Sequence, residues 1–259
     1  MNIRQFSMLI ALVVIMALFQ WLTDGILLTP QNVTNLIMQN GYVIILTIGM
    51  LLCILSSGSI DLSVGSIVAF IGAVLGELIV QMGMNTWAAI GIALVIGALI
   101  GMWQGFWIAY MRIPAFIVTL AGMLVFRGLT QFVLQGLTLS PFPDNFNFIS
   151  SGFITGKSTA LILGGIAIAL YIAMSIRKRI SKKNHGFDTV SLPFFILQTI
   201  VIVSVIGLFS FWLTLYKGVP VLLVLMLALI IAYSFFTSKT VPGRYLYAMG
   251  GNEKAAVLS

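Results

Sequence analysis

In a chain of 259 residues with 60% hydrophobic and 7% charged side chains, a polar residue among apolar ones is costly to place, so each is a candidate for chemistry. The densest group is Gly58-Ser59-Ile60-Asp61-Leu62-Ser63-Val64-Gly65. The Asp61 carboxylate can accept hydrogen bonds from the first exposed amides of a helix that follows it. With the Ser59 and Ser63 hydroxyls beside it, it can equally serve a polar solute crossing the bilayer. Both readings stand, a cap at a tight turn or part of a solute path. Trp103, Gln104 and Trp107 form a second group, suited to packing and interfacial anchoring or to lining the same path. Glu77 and Arg127 each sit in an apolar run, where an ion pair between them would lower the cost of both. The last polar segment, Arg244 to Ser259, is expected where a membrane protein meets a soluble partner. There Gly250 and Gly251 permit φ > 0, Asn252 can cap, and Glu253 suits the first turn of a short helix continuing through Ala255 and Ala256. An ordinary solvated loop helix is the plainer reading of that segment.

Other chemistry finds little support. Ser151-Gly152-Phe153-Ile154-Thr155-Gly156-Lys157-Ser158 imitates a phosphate loop but lacks its first glycine, and no strand is expected before it. The chain therefore carries no ATPase of its own. Cys53 is the lone cysteine and lies in an apolar run, so it reads as a small hydrophobe with no intrachain disulfide. His185 has no second His or Cys near it and reads as solvated, and no metal site is expected.

These residues must be positioned by a membrane scaffold. The mean hydropathy of +1.14 lies far outside the range of soluble domains. Apolar runs of bridging length, roughly 20 residues each, fall near Phe6–Trp21, Leu36–Leu55, Leu62–Val80, Trp87–Tyr110, Pro114–Leu134, Thr159–Ile176, Pro193–Leu215 and Pro220–Phe236. The expected fold is all-α, a polytopic bundle of about eight spans forming one transmembrane domain over 1–259. No A-x-A-like cleavage site follows Trp21, so the first span is expected to be retained. With Arg4 inside, Arg112, the run Arg177 to Lys183, Lys239, Arg244 and Lys254 all fall on the cytoplasmic side, as basic residues in short loops do. A cytoplasmic basic loop at 177–188 and a cytoplasmic segment at 238–259 follow. The net charge of +7 is then mostly topology. The basic run has no aromatic interleaving, so it is read as touching anionic lipid headgroups and not nucleic acid.

Ala89, Ala93, Gly97, Gly101, Gly105 and Ala109 recur every four residues, a small-residue ridge expected to act as one continuous seam for a neighbouring helix. Gly65, Ala69, Ala73, with Gly72 and Gly76, repeat the device one span earlier.

Three motifs in order, Ser57 to Ser66, then Ile113-Pro114-Ala115-Phe116-Ile117-Val118-Thr119-Leu120 with Arg127-Gly128, then Pro242-Gly243-Arg244 through Gly250 to Ser259, make the chain resemble permease subunits of bacterial ABC importers of monosaccharides. The xylose and multiple-sugar permeases are the nearest in pattern, with ribose and arabinose permeases as relatives. The resemblance covers nearly the whole chain. It implies a type II importer permease in the bacterial inner membrane that pairs with a second permease, as a homodimer, and receives sugar from an extracytoplasmic binding protein. A separate cytoplasmic ATPase subunit binds the ATP, so this chain has no cofactor and is not itself an enzyme. Gly250, Gly251, Asn252, Glu253, Ala255 and Ala256 would then dock in the ATPase and couple its closure to the spans. Family members continue past this motif with Gly-Ile and further helices, whereas this chain stops at Ser259, so the expectation is a fold cut short at its carboxyl end. Two competitors remain at this stage. A permease of similar architecture for branched-chain amino acids is one; an ion-coupled transporter, for which only Asp61 and Glu77 offer intramembrane carboxylates, is the other.

Overall fold

Lipid is the solvent for most of these helices, and their side chains sort accordingly: large apolar residues such as Leu94, Phe132 and Ile231 face outward, while the most buried positions, Ala89, Ser63 and Thr34, are small. The computed structural model describes residues 3–187 and 190–251. In chain order the elements are α1 (Ile3–Leu22), α2 (Pro30–Ser57), α3 (Val64–Gly76) with a π-helical turn (Glu77–Gln81), α4 (Thr86–Ala109), α5 (Ala115–Leu134), α6 (Asp144–Ser151), β1 (Phe153–Ile154), α7 (Lys157–Asn184), α8 (Leu192–Thr214), β2 (Val219–Pro220), α9 (Val221–Lys239) and α10 (Val241–Gly251). Among the described residues seven helices are long and apolar enough to cross a bilayer: α2, α3 with its π turn, α4, α5, α7, α8 and α9; within α1 the apolar stretch Ile10–Leu22 is shorter. The architecture is an all-α transmembrane bundle.

Local chemistry sets the ends. Asn85 caps α4 by accepting hydrogen bonds from the Trp87 and Ala88 amides at 2.9 and 3.4 Å. Thr240 turns the chain from α9 into α10: its hydroxyl donates to the Phe236 carbonyl at 2.6 Å and accepts from the Gly243 amide at 3.2 Å. A side chain at Gly243 would strike the backbone of Phe236 and Thr237, so only glycine fits this corner.

Two compact units divide the chain. The first comprises residues 1–40 and 151–224. In it α7 packs along α8, closely enough that a side chain at Gly164 would collide with Ser210. β1 pairs antiparallel with β2, Phe153 opposite Pro220 and Ile154 opposite Val219, and Ala160, Leu213 and Val219 form a buried cluster there. The second unit comprises residues 41–150 and 225–259. Its centre is the packing of α3 on α5, with α4 against both. Phe126 of α5 meets Phe70 of α3 at 5.6 Å between ring centroids, and Trp103 of α4 edge-on at 6.3 Å.

Several expectations are corrected. The basic run 177–184 is not a loop: α7 continues through it to Asn184, since Lys and Arg are good helix formers and cations suit the negative end of a helix. Gly250 and Gly251 do not form a turn that starts a helix; both are helical, the last described residues of α10. The reason is a close crossing, because a side chain at Gly250 would strike the Leu55 carbonyl of α2. Asn252, Glu253, Ala255 and Ala256 lie outside the described residues. No ion pair joins Glu77 to Arg127, nor any other pair among the described residues. Arg127 follows Phe126 by one residue, about 100° round the helix, and so leaves the face formed by Val118, Thr119, Gly122, Phe126 and Thr130.

Candidate functional site

The polar residues singled out by sequence separate into two groups. Asp61, Ser63 and Gln104 come together in the second unit. The chain leaves α2 at Gly58, where φ is +64, and crosses an irregular stretch before α3 begins at Val64. Within that stretch the Asp61 carboxylate accepts the Ser63 amide at 2.8 Å and the Ser63 hydroxyl at 2.6 Å through the same oxygen, Oδ1. The side-chain amide of Gln104, 41 residues away on α4, donates to the Ser63 hydroxyl at 2.9 Å. A hydroxyl has one proton, and here the carboxylate takes it; this fixes the Gln104 nitrogen as donor. The chain of donation therefore runs Gln104 to Ser63 to Asp61. Because its hydroxyl is engaged in this way, Ser63 makes no side-chain cap to α3 although it holds the capping position. Asp61 thus braces the turn one residue ahead of the helix and does not cap the helix itself.

Gly122 makes room for the arrangement. A side chain there would run into the Gln104 amide and press on Ser63, so glycine on α5 lets Gln104 keep its bond to Ser63 where α4 and the start of α3 converge. Ser63 and Gln104 are 0% and 5% exposed. No buried side-chain nitrogen or oxygen among the described residues lacks a partner, which an interior this apolar requires.

Beside these residues lies a cavity of about 360 Å³. Its polar lining comes from Ser56, Ser59, Asp61, Gln104 and Thr119, its apolar lining from Ile60, Ile108, Ala115 and Met249 among others. That is a volume at the small end of ligand clefts, roughly 300–1,000 Å³. Gly101, Gly105 and Ala109 form part of its wall, so the carboxyl-terminal half of the small-residue ridge borders open space. At Gly101 and Gly105 an added side-chain carbon would meet nothing within 4 Å. Only the other half acts as a seam: Ala89 is wholly buried, and Gly97 lies against Ile71 of α3 at 3.3 Å from where its side chain would begin. Geometry explains the split. Four residues exceed a full turn by about 40°, so the row drifts about 200° round α4 between Ala89 and Ala109.

Trp103 and Trp107 stand apart from the cavity: Trp103 packs on Phe126, and Trp107 on Phe106 at 5.6 Å. Sequence reasoning missed Ser56, Thr119 and Met249, which line it. Ser56 and Thr119 were visible as polar residues inside apolar runs. Met249 carried no signal of its own, although Thr240 before Pro242 marks a helix start that would have extended that segment.

Residues 32–259 match the family described as branched-chain amino acid transport system / permease component. The chain belongs to this family. Over its full length it is 36% identical to the xylose transport system permease protein XylH of Escherichia coli K12, covering 65% of that protein. The Haemophilus influenzae protein of the same name is likewise 36% identical over the full chain, with 68% of it covered. The ribose import permease protein RbsC of Escherichia coli K12 is 38% identical over 162 residues, 61% of this chain and 50% of that one. The chain thus spans about two thirds of the length of the xylose permeases it matches. No solved structure matches it. Seven apolar helices in a permease family make it a multi-pass membrane protein.

Proposed function

We propose that this chain is the transmembrane permease subunit of an ABC importer of a monosaccharide such as xylose. The observation that carries the reading is the match to xylose permeases from end to end of the chain. In this reading the chain sits in the bacterial inner membrane with its amino terminus cytoplasmic, works as one of two permease subunits, and receives sugar from an extracytoplasmic binding protein. A cytoplasmic ATPase subunit supplies ATP hydrolysis, and the chain itself catalyses no reaction.

The cavity beside Asp61 is the solute path. Sugar hydroxyls both donate and accept hydrogen bonds, which suits a wall offering a carboxylate, hydroxyls and an amide. Asp61 and Gln104 face the sugar, Ser59 supplements them, and Ser63 holds Asp61 and Gln104 in register. Trp103 serves the path indirectly, by packing α4 on Phe126 of α5, and Trp107 adds to it through Phe106 beside it on α4. The contacts to sugar are few, as transit requires, because a tight site halfway would slow release.

Coupling falls to the segment 238–259. Met249 lines the cavity and Gly250 crosses the end of α2, so a push on the residues after Gly251 by a docked ATPase reaches the path through α10. Asn252, Glu253, Ala255 and Ala256 supply the docking surface. Branched-chain amino acids are the second candidate cargo, favoured only by the description of the family.

The test is uptake by proteoliposomes containing the complete system. ATP-dependent, binding-protein-dependent entry of labelled xylose or another monosaccharide is expected. Transport of leucine in place of sugar, or uptake driven by a proton gradient with no ATPase present, overturns the proposal.

A further inference from the structure

In the first unit, a groove of about 340 Å³ opens between α7 and α8. Lys178, Arg179 and Lys182 line one end of it; Tyr171 and Ile202 lie at the other. On α7 the distance from Lys182 to Tyr171 is about 16 Å, at about 1.5 Å per residue. The charged end is built and not merely solvated. Arg179 donates from Nη1 to the Val190 carbonyl at 2.9 Å and lies 4.7 Å from the centre of the Phe195 ring, so its guanidinium is held in place with further donors uncommitted.

Among the described residues no acidic side chain lines this groove, and no ion pair forms. Lys178 and Lys182 are four apart on one helix face, a spacing at which like charges repel. The half negative charge at the carboxyl end of α7 relieves little of this, being smaller than the three positive charges gathered there. Among the described residues nothing balances these three cations, and they stand at the end of a helix long and apolar enough to span a bilayer.

We infer that this groove is a binding site for an anionic phospholipid, with the phosphate seated among Lys178, Arg179 and Lys182 and an acyl chain lying along α7 and α8 toward Tyr171 and Ile202. A diffuse attraction of a basic helix end to the membrane surface would not distinguish these three cations from Arg177 and Lys183, which stand on the same turns of α7 but do not line the groove. A site does. Arg179 contributes direction through its planar donors, and the two lysines contribute most of the removable charge.

The test is native mass spectrometry of the full chain released from nanodiscs, with phosphatidylglycerol and phosphatidylcholine of identical acyl chains as probes. Lys178→Gln/Lys182→Gln leaves the Arg179 bond to Val190 in place, so it removes charge without dismantling the groove; circular dichroism and elution volume confirm that it folds. Phosphatidylglycerol binding is expected to weaken about thirtyfold, near the loss of two basic contacts. The charge-matched Arg177→Gln/Lys183→Gln, which removes only diffuse attraction, is expected to weaken it clearly less. Glycerol phosphate at millimolar concentration is expected not to displace the lipid, because it lacks the acyl chain. Equal losses in the two double variants, equal retention of phosphatidylcholine by the unaltered chain, or full displacement by glycerol phosphate would each overturn the assignment of a phospholipid site.

Discussion

The two halves of α4 carry the same small residues at the same spacing and put them to opposite uses. Ala89 and Ala93 are buried and Gly97 lies against Ile71 of α3, while Gly101, Gly105 and Ala109 wall a cavity. In lipid, where helices gain nothing from hiding apolar surface, a small residue only makes space; whether a helix or a solute occupies it is decided by what else is near. Near the first half stand apolar side chains such as Ile71. Near the second stand Asp61, Gln104 and Thr119. Spacing alone does not separate a seam from a passage, but polar neighbours do.

This comparison can be broken by filling each half in turn. Ala89→Leu forces a large side chain into a position with no exposure and is expected to cost the most, about 1–3 kcal/mol or failure to assemble; thermal unfolding in detergent checks it, and an unchanged midpoint would mean that the seam is loose. Ser63→Ala comes next, since it removes the hydroxyl that joins Gln104 to Asp61 and leaves the buried Gln104 amide and the half-buried Asp61 carboxylate each one hydrogen bond short, at about 1–2 kcal/mol. Gly122→Ala is smaller, about 0.5–1 kcal/mol, because the Gln104 amide is the end of a flexible side chain and can swing away at the cost of its bond to Ser63. If both act on that one bond, the double variant loses less than the sum of the singles, a result read directly from a double-mutant cycle. Strict additivity would separate Gly122 from the polar cluster.

Much of this was legible in advance because lipid imposes one strong rule: long apolar runs become helices. The run Trp87–Tyr110 appears as Thr86–Ala109, and Pro193–Leu215 as Leu192–Thr214. Asp61, Ser63 and Gln104 were visible for the converse reason, as polar groups at a depth where they are expensive. Their meeting was not visible, since Gln104 is 41 residues from Ser63 and depends on Gly122 for its room. Charge at the basic end of α7 suggests solvent and so a loop, yet nothing in Arg177 to Lys183 breaks a helix. The paired glycine suggested a turn through its freedom at φ > 0, whereas at Gly250 glycine is needed for its missing side chain. The pairing expected of Glu77 with Arg127 failed on helix phase, which distance along the sequence does not reveal.

The smallest effect on stability is expected at Gly105→Leu, where an added Cβ meets nothing within 4 Å, the rest of the side chain has the cavity to enter, and the conformational cost of glycine in a helix is removed. Its effect on transport is expected to be the largest of all. The decisive measurement is therefore ATP-dependent uptake of labelled sugar by the complete system carrying Gly105→Leu, at matched membrane levels and with ATPase association verified. If the cavity beside Asp61 is the path, uptake falls at least tenfold while the melting temperature holds or rises. Unchanged uptake in that well-folded variant would contradict the account.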